Sequence, residues 1–160
     1  MGKSFLKLLK SFKYAGQGFY FAFHTQRNMR IHLSFLVFMF FFLLKYDFFK
    51  ISAAEFAVLV LTSALVFALE LVNTAVECIV DFISPEKNRL AGIAKDVAAG
   101  AVLVAAIAAV IVGIIIMFQP EAFSKMGYYY AEHIGELVIV GVAVILAVIW
   151  VMYPRKDKHE

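Results

Sequence analysis

The chain has 160 residues, of which 63% are hydrophobic, 16% aromatic and only 17% charged. Soluble domains average roughly 45–50% apolar and about 25% charged residues, and a water-soluble globule of this size could not cover so much apolar surface. A net charge of only +3 gives little support to a nucleic-acid partner, and the single cysteine, Cys78, excludes an intramolecular disulfide and a cysteine-based zinc site, so the composition points to an integral membrane protein.

Residues 1–30 are basic and amphipathic. Lys3, Lys7, Lys10 and Lys13 share one side of a helical wheel, with Phe5, Leu8, Leu9, Phe12 and Phe19 on the other. This fits a helix lying in the membrane interface, and equally a basic leader ahead of a first span. A cleaved signal peptide is not expected, because no small-residue cleavage site follows the apolar stretch. Leu6 stands where a myristoylation motif wants Ser or Thr.

Four apolar segments follow, at about 31–49, 53–83, 97–118 and 137–153. A span needs roughly 20 apolar residues, so the first, third and fourth fit, and the second is long enough to project a polar end into the interface. Ser84-Pro85 stops the second segment and suits the start of a short new helix; Gln119-Pro120 stops the third. Twelve of the 15 basic residues fall in the leader, the 84–96 loop and the tail, against three, Lys45, Lys50 and Lys125, in the other two loops. With four spans this predicts that both termini and the 84–96 loop are cytoplasmic, and Tyr128, Tyr129 and Tyr130 then suit an outer aromatic belt.

The second segment carries polar residues that a plain span does not need. Glu70, Asn73, Thr74, Glu77 and Asp81 are spaced i, i+3, i+4, i+7 and i+11, within about 100° on a helix, with Ser63 one level deeper on the same stripe. Ionisable groups at membrane depth cost several kcal/mol each and mark functional sites by default. Two carboxylates two turns apart suit proton transfer beside a divalent cation, or two cation contacts. Lys95-Asp96, flanked by Gly92 and Gly100, stands at the mouth of the third span, where Lys can meet a phosphate. A transporter would need carboxylates through the full depth, but the stripe dwindles above Ser63. No Walker-type loop occurs, and Gly16-Gln17-Gly18 lacks the third glycine of a dinucleotide motif, having Phe21 there.

The remaining features read as packing. Ala101, Ala105, Ala109 and Gly113 form a small-residue ridge for close helix contact. His24 and His32 read as interfacial residues rather than metal ligands, and Glu132, His133 and Glu136 as a solvated outer turn.

The run Glu70-Leu71-Val72-Asn73-Thr74-Ala75-Val76-Glu77, then Asp81 and Ala94-Lys95-Asp96, resembles the signature of the small prokaryotic membrane lipid kinases, the diacylglycerol kinase and undecaprenol kinase family. Ile83-Ser84-Pro85-Glu86, Ala98-Ala99-Gly100-Ala101-Val102 and Arg27-Asn28-Met29-Arg30-Ile31-His32 look closer to the Gram-positive undecaprenol kinases. The resemblance covers about residues 5–118. It implies a three-span core at 31–118; with the apolar segments this gives an all-α integral membrane fold, with an amphipathic interfacial segment at 1–30 before that core and, at 119–160, where the chain departs from the family, a linker, an added fourth span and a basic tail. It also implies a homotrimer in the bacterial plasma membrane, with its active site on the cytoplasmic face, that phosphorylates a lipid hydroxyl with ATP and Mg²⁺. Undecaprenol is the expected acceptor and diacylglycerol the alternative. Residue by residue, Glu70 matches the catalytic base and Asn73 the polar residue beside it. Glu77 matches a metal-binding carboxylate, and Lys95, Asp96, Tyr14, Gly92 and Lys10 match nucleotide contacts. The family's second metal-binding Glu falls on Gln26, and an amide is a weaker ligand for a hard cation. A weakly active or inactive kinase-fold protein is therefore the further alternative.

Overall fold

The computed structural model of the chain describes residues 2–86 and 88–153 and, among these, contains only helices. They are α1 (Gly2–Thr25), α2 (Arg27–Lys45), α3 (Ala53–Ile83), α4 (Arg89–Met117), α5 (Pro120–Glu132) and α6 (Ile134–Met152). Four of them, α2, α3, α4 and α6, are long and apolar enough to cross a membrane. The expected amphipathic helix is α1, which breaks at Gln26, whose extended backbone (φ −91°, ψ 117°) turns the chain into α2. Lys87 and residues 154–160, with the tail residues Arg155, Lys156 and Lys158 counted above, lie outside the described residues, as does the side chain of Lys3.

The α3–α4 hairpin is the backbone of the molecule. Ser52 and Glu55 close a reciprocal capping box at the start of α3, satisfying amide groups that the first helical turn leaves bare. At 1.5 Å per residue, the 31 residues of α3 and the 29 of α4 run about 46 Å and about 43 Å, against a hydrocarbon slab of about 30 Å. Asp81 of α3 and Arg89, Lys95 and Asp96 of α4 gather charge at their shared end, around the 84–88 turn.

Here the structure corrects the sequence reading. α4 begins at Arg89, eight residues before the apolar run, with Asn88 as its N-cap, the side chain accepting from the amides of Leu90 and Ala91. Ser84 caps the C-terminus of α3 and does not start a helix. Gly92, Lys95 and Asp96 therefore sit on a rigid helix and not in a loop. The polarity of Arg89, Lys95 and Asp96 hides this helical stretch from a hydropathy pattern.

The fourth span, α6, has no buried residue and is held at its ends. Arg30, 4% exposed, donates from Nη2 to the carbonyls of Val151 (3.2 Å) and Tyr153 (3.5 Å), and from Nη1 to the carbonyl of His24 (3.2 Å). One guanidinium thus caps the C-terminal ends of both α1 and α6, where carbonyls lack helical partners. At the other end Glu136, in the first turn of α6, accepts from Tyr46 (2.7 Å), Tyr129 (3.1 Å) and Lys45 (3.2 Å). Below it Tyr46, Phe48, Ala122 and Tyr130 form a small apolar core. Tyr130 is buried there and Tyr128 is 78% exposed, so the three tyrosines do not act together as a belt. Glu136, expected in a solvated turn, is instead the latch between α2, α5 and α6. Of the small-residue ridge on α4, Ala105 is buried, whereas Ala109 and Gly113 line a cavity and Ala101 is exposed.

Candidate active site

The polar stripe of α3 turns inward, against the start of α2. Glu70, Asn73 and Thr74 are 1%, 6% and 5% exposed, burial that charged and amide groups adopt only with partners. Thr74 folds its hydroxyl back onto the Glu70 carbonyl at 2.8 Å. Glu77 is partly buried, and both of its oxygens accept from amides. Asn73 Nδ2 donates to Oε1 and Gln26 Nε2 to Oε2, each at 2.8 Å. The helix break at Gln26 delivers the second of these donors, because it leaves that side chain at the joint of α1 and α2, facing α3. Phe23 on α1 packs on Phe67 of α3 close by, with ring centroids 6.1 Å apart.

Two buried acceptors are left over. Glu70 Oε1 and Asn73 Oδ1 have no hydrogen-bond partner in the chain, an omission that costs about 1–3 kcal/mol per group. Both residues border a cavity of about 240 Å³, whose wall also includes Asn28 and His32. Beside it, sharing Ile31, His32 and Ala106 in its walls, is a larger cavity of about 530 Å³. That one is lined almost wholly by apolar groups, among them Phe35, Leu59, Val66 and Gly113. The pair offers hydrogen-bond acceptors at one end and a greasy slot at the other, complementary to a hydroxyl at the head of a hydrocarbon chain.

On the projecting end of the hairpin, Lys95 Nζ pairs with Asp81 of α3. Lys95 and Asp81 border a third cavity of about 390 Å³, with Ser84, Glu86, Arg89 and Gly92 also in its wall. A Cβ built on Gly92 would meet nothing within 4 Å. Asp96 is exposed on α4, and Lys10 and Tyr14 are exposed on α1. The structure thus gathers Gln26, Glu70, Asn73 and Glu77 in one group and Lys95 and Gly92 in a second. It leaves Asp96, Lys10 and Tyr14 on the surface. Among the described residues, no group of three His, Cys, Asp or Glu side chains collects for a metal. A Mg²⁺ keeps several waters and often takes only one or two carboxylates besides phosphate oxygens. Glu77, with the side-chain amide of Gln26 beside it, fits that sparse donor set.

Sequence reasoning read His32 as an interfacial residue and gave Arg30 no role beyond the basic leader and the Arg27–His32 run. His32 Nε2 lies 3.4 Å from Glu70 Oε1. Neither residue stands out in a basic, interfacial stretch, and only the packing of α2 on α3 and α6 picks them out.

An α-helical membrane fold with an acidic stripe buried at the α2–α3 contact defines the class, and the chain belongs to the prokaryotic diacylglycerol kinase family, whose model matches residues 13–117. A diacylglycerol kinase of Synechocystis sp. is 50% identical over 114 residues, covering 71% of this chain and 63% of that protein. An undecaprenol kinase of Bacillus subtilis is 38% identical over 124 residues, 72% of this chain and 90% of that protein. A diacylglycerol kinase of Haemophilus influenzae is 38% identical over 99 residues, 61% and 80%. The chain thus spans less than two thirds of the length of the Synechocystis relative. The higher identity to a diacylglycerol kinase lends no weight to the Gram-positive branch. No solved structure matches the chain.

Proposed function

We propose that this chain transfers the γ-phosphoryl group of ATP to the hydroxyl of a membrane lipid. The carrying observation is the pair of unpartnered buried acceptors, Glu70 Oε1 and Asn73 Oδ1, at the head of an apolar cavity. An acceptor hydroxyl donates to Glu70 as its oxygen attacks phosphorus. The bond from phosphorus to the ADP oxygen breaks, and the hydroxyl proton passes to Glu70. Asn73 holds Glu77 in place and keeps its own oxygen toward the hydroxyl. Glu77, with the side-chain oxygen of Gln26, would hold a Mg²⁺ ion, which would supply charge neutralisation at the phosphates. Lys95 adds a positive charge from the projecting helix. Its pair with Asp81, which is 67% exposed, is worth no more than about 1 kcal/mol, so nucleotide phosphates displace it easily. Gly92, Asp96, Tyr14 and Lys10 serve as further nucleotide contacts, the last three completed by elements that close on the nucleotide or by neighbouring copies in a homotrimer. The site and both termini face the cytoplasm of a bacterial cell, in keeping with the charge asymmetry of the loops.

Undecaprenol is the first acceptor proposed, because of the Arg27–His32 and Ser84-Pro85 runs and the 90% coverage of the Bacillus relative. Diacylglycerol is the second reading, favoured by the 50% identity to the Synechocystis protein. The test is transfer of labelled phosphate from ATP with Mg²⁺ to each lipid in mixed micelles. Labelled lipid from one acceptor, abolished nearly completely by Glu70→Gln and by Glu77→Gln, is the expected result. No labelled lipid from either acceptor refutes the proposal.

A further inference from the structure

Gln26 and His32 stand six residues apart at the start of α2 and meet Glu77 and Glu70, seven residues apart on the antiparallel α3. Those spacings are about 9 Å and about 10 Å of helix, so the contacts form two successive rungs between the helices. Glu77 and Glu70 thus each face one side-chain nitrogen from the N-cap or first turns of α2. The first rung is a closed hydrogen bond at 2.8 Å. The second is open: His32 Nε2 stands 3.4 Å from Glu70 Oε1, and that oxygen has no hydrogen bond. Hydrogen bonds around a catalytic group are often long in the free protein and tighten once the substrate is bound. His32 also lies in the wall shared by the polar and the apolar cavity, next to where the head of a lipid chain would pass.

We propose that His32 is a positioning residue that fixes the Glu70 carboxylate toward the acceptor hydroxyl. The inference rests on the proposed lipid phosphorylation. An imidazole carrying a proton on Nε2 donates to Glu70 Oε1, closing the second rung by a shift of a few tenths of an ångström. That bond selects one rotamer of the carboxylate, whose Oε1 otherwise has no hydrogen bond, and leaves a lone pair for the hydroxyl proton. His32 itself touches neither nucleotide nor phosphorus in this scheme, so its removal acts on turnover and not on ATP affinity.

The experiment compares wild type, His32→Leu, His32→Gln and Glu70→Gln in mixed micelles, with kcat and KM measured for lipid and for ATP and the thermal midpoint recorded. His32→Leu is expected to lower kcat by about 10- to 100-fold, the scale of a displaced catalytic group, with KM for ATP unchanged. His32→Gln, whose amide nitrogen reaches a similar point, is expected to restore most of it. On a Glu70→Gln background, His32→Leu is expected to cost nothing further. If His32→Leu does not fold, His32→Asn, whose amide is too short to reach, takes its place. An unchanged kcat in the Leu variant overturns the inference, as does a rise in lipid KM alone, or a Gln variant as slow as Leu. In each of these cases wild-type activity leaves lipid phosphorylation standing, whereas a silent wild type overturns both.

Discussion

Gln26→Glu reads out the consequence of an amide where a carboxylate is expected. In this chain Gln26 donates to Glu77 at 2.8 Å. A glutamate there cannot donate, so the charge-assisted bond is lost, at about 1.5–3 kcal/mol. It also places a second negative charge beside the first. At about 4 Å and an effective dielectric of about 20 the repulsion is about 4 kcal/mol, which the side chains relieve in part by moving apart. A net loss of at least about 2 kcal/mol follows in metal-free buffer, or about 4–8 °C in thermal midpoint for a chain of this size. A divalent cation between the two carboxylates reverses the sign of that interaction. The variant should therefore recover its midpoint as Mg²⁺ is added, whereas wild type, already closed by a hydrogen bond, should respond weakly. The assay is thermal unfolding in detergent with chelator and with Mg²⁺. A variant as stable as wild type in chelator, with no gain from Mg²⁺, refutes the reasoning.

Three further outcomes follow from the structure. Arg30→Met removes hydrogen bonds to His24, Val151 and Tyr153, so it should lower the unfolding midpoint by several degrees and expose the end of α6 to protease; unchanged protection would disconnect α6 from this cap. Gly92→Ala meets no neighbour and should stabilise α4 by about 0.5–1 kcal/mol through helix propensity; a simultaneous rise in KM for ATP would support a nucleotide at that position, and unchanged kinetics would count against it. Burial pushes the Tyr46 hydroxyl above its ordinary value of 10.0, with the Glu136 carboxylate adding to the effect against an opposing Tyr130. Since the folded-state value is the higher one, the stabilisation is fully present below about pH 10 and is lost as pH rises through that value; a midpoint that falls no more steeply with alkali than in Tyr46→Phe would contradict it.

Much of the molecule is legible in the sequence. Four helices long and apolar enough to cross a membrane follow from apolar length, and the single polar face of α3 follows from spacing alone, because 3.6 residues per turn places Glu70, Asn73 and Glu77 on one face whatever surrounds them. The family resemblance found the same residues by a separate route. Less legible was the start of α4, where a helix continues out of the hydrocarbon. Past that boundary hydropathy falls while helical hydrogen bonding does not, so Gly92, Lys95 and Asp96 read as a loop.

The excess of apolar residues determined by itself that the chain crosses a membrane, and the local period determined which face of α3 is polar. The tertiary structure decided the partners: Gln26 on Glu77, His32 beside Glu70, Arg30 on the end of α6, and Tyr46 and Lys45 on Glu136. These pairs lie 38 to 121 residues apart along the chain. Which side chains meet depends on the rotation and register of one helix against another. Contacts among near-uniform Leu, Val, Ala and Phe faces leave that register open to sequence inspection, and it is settled only when the few polar groups find each other in the packed bundle.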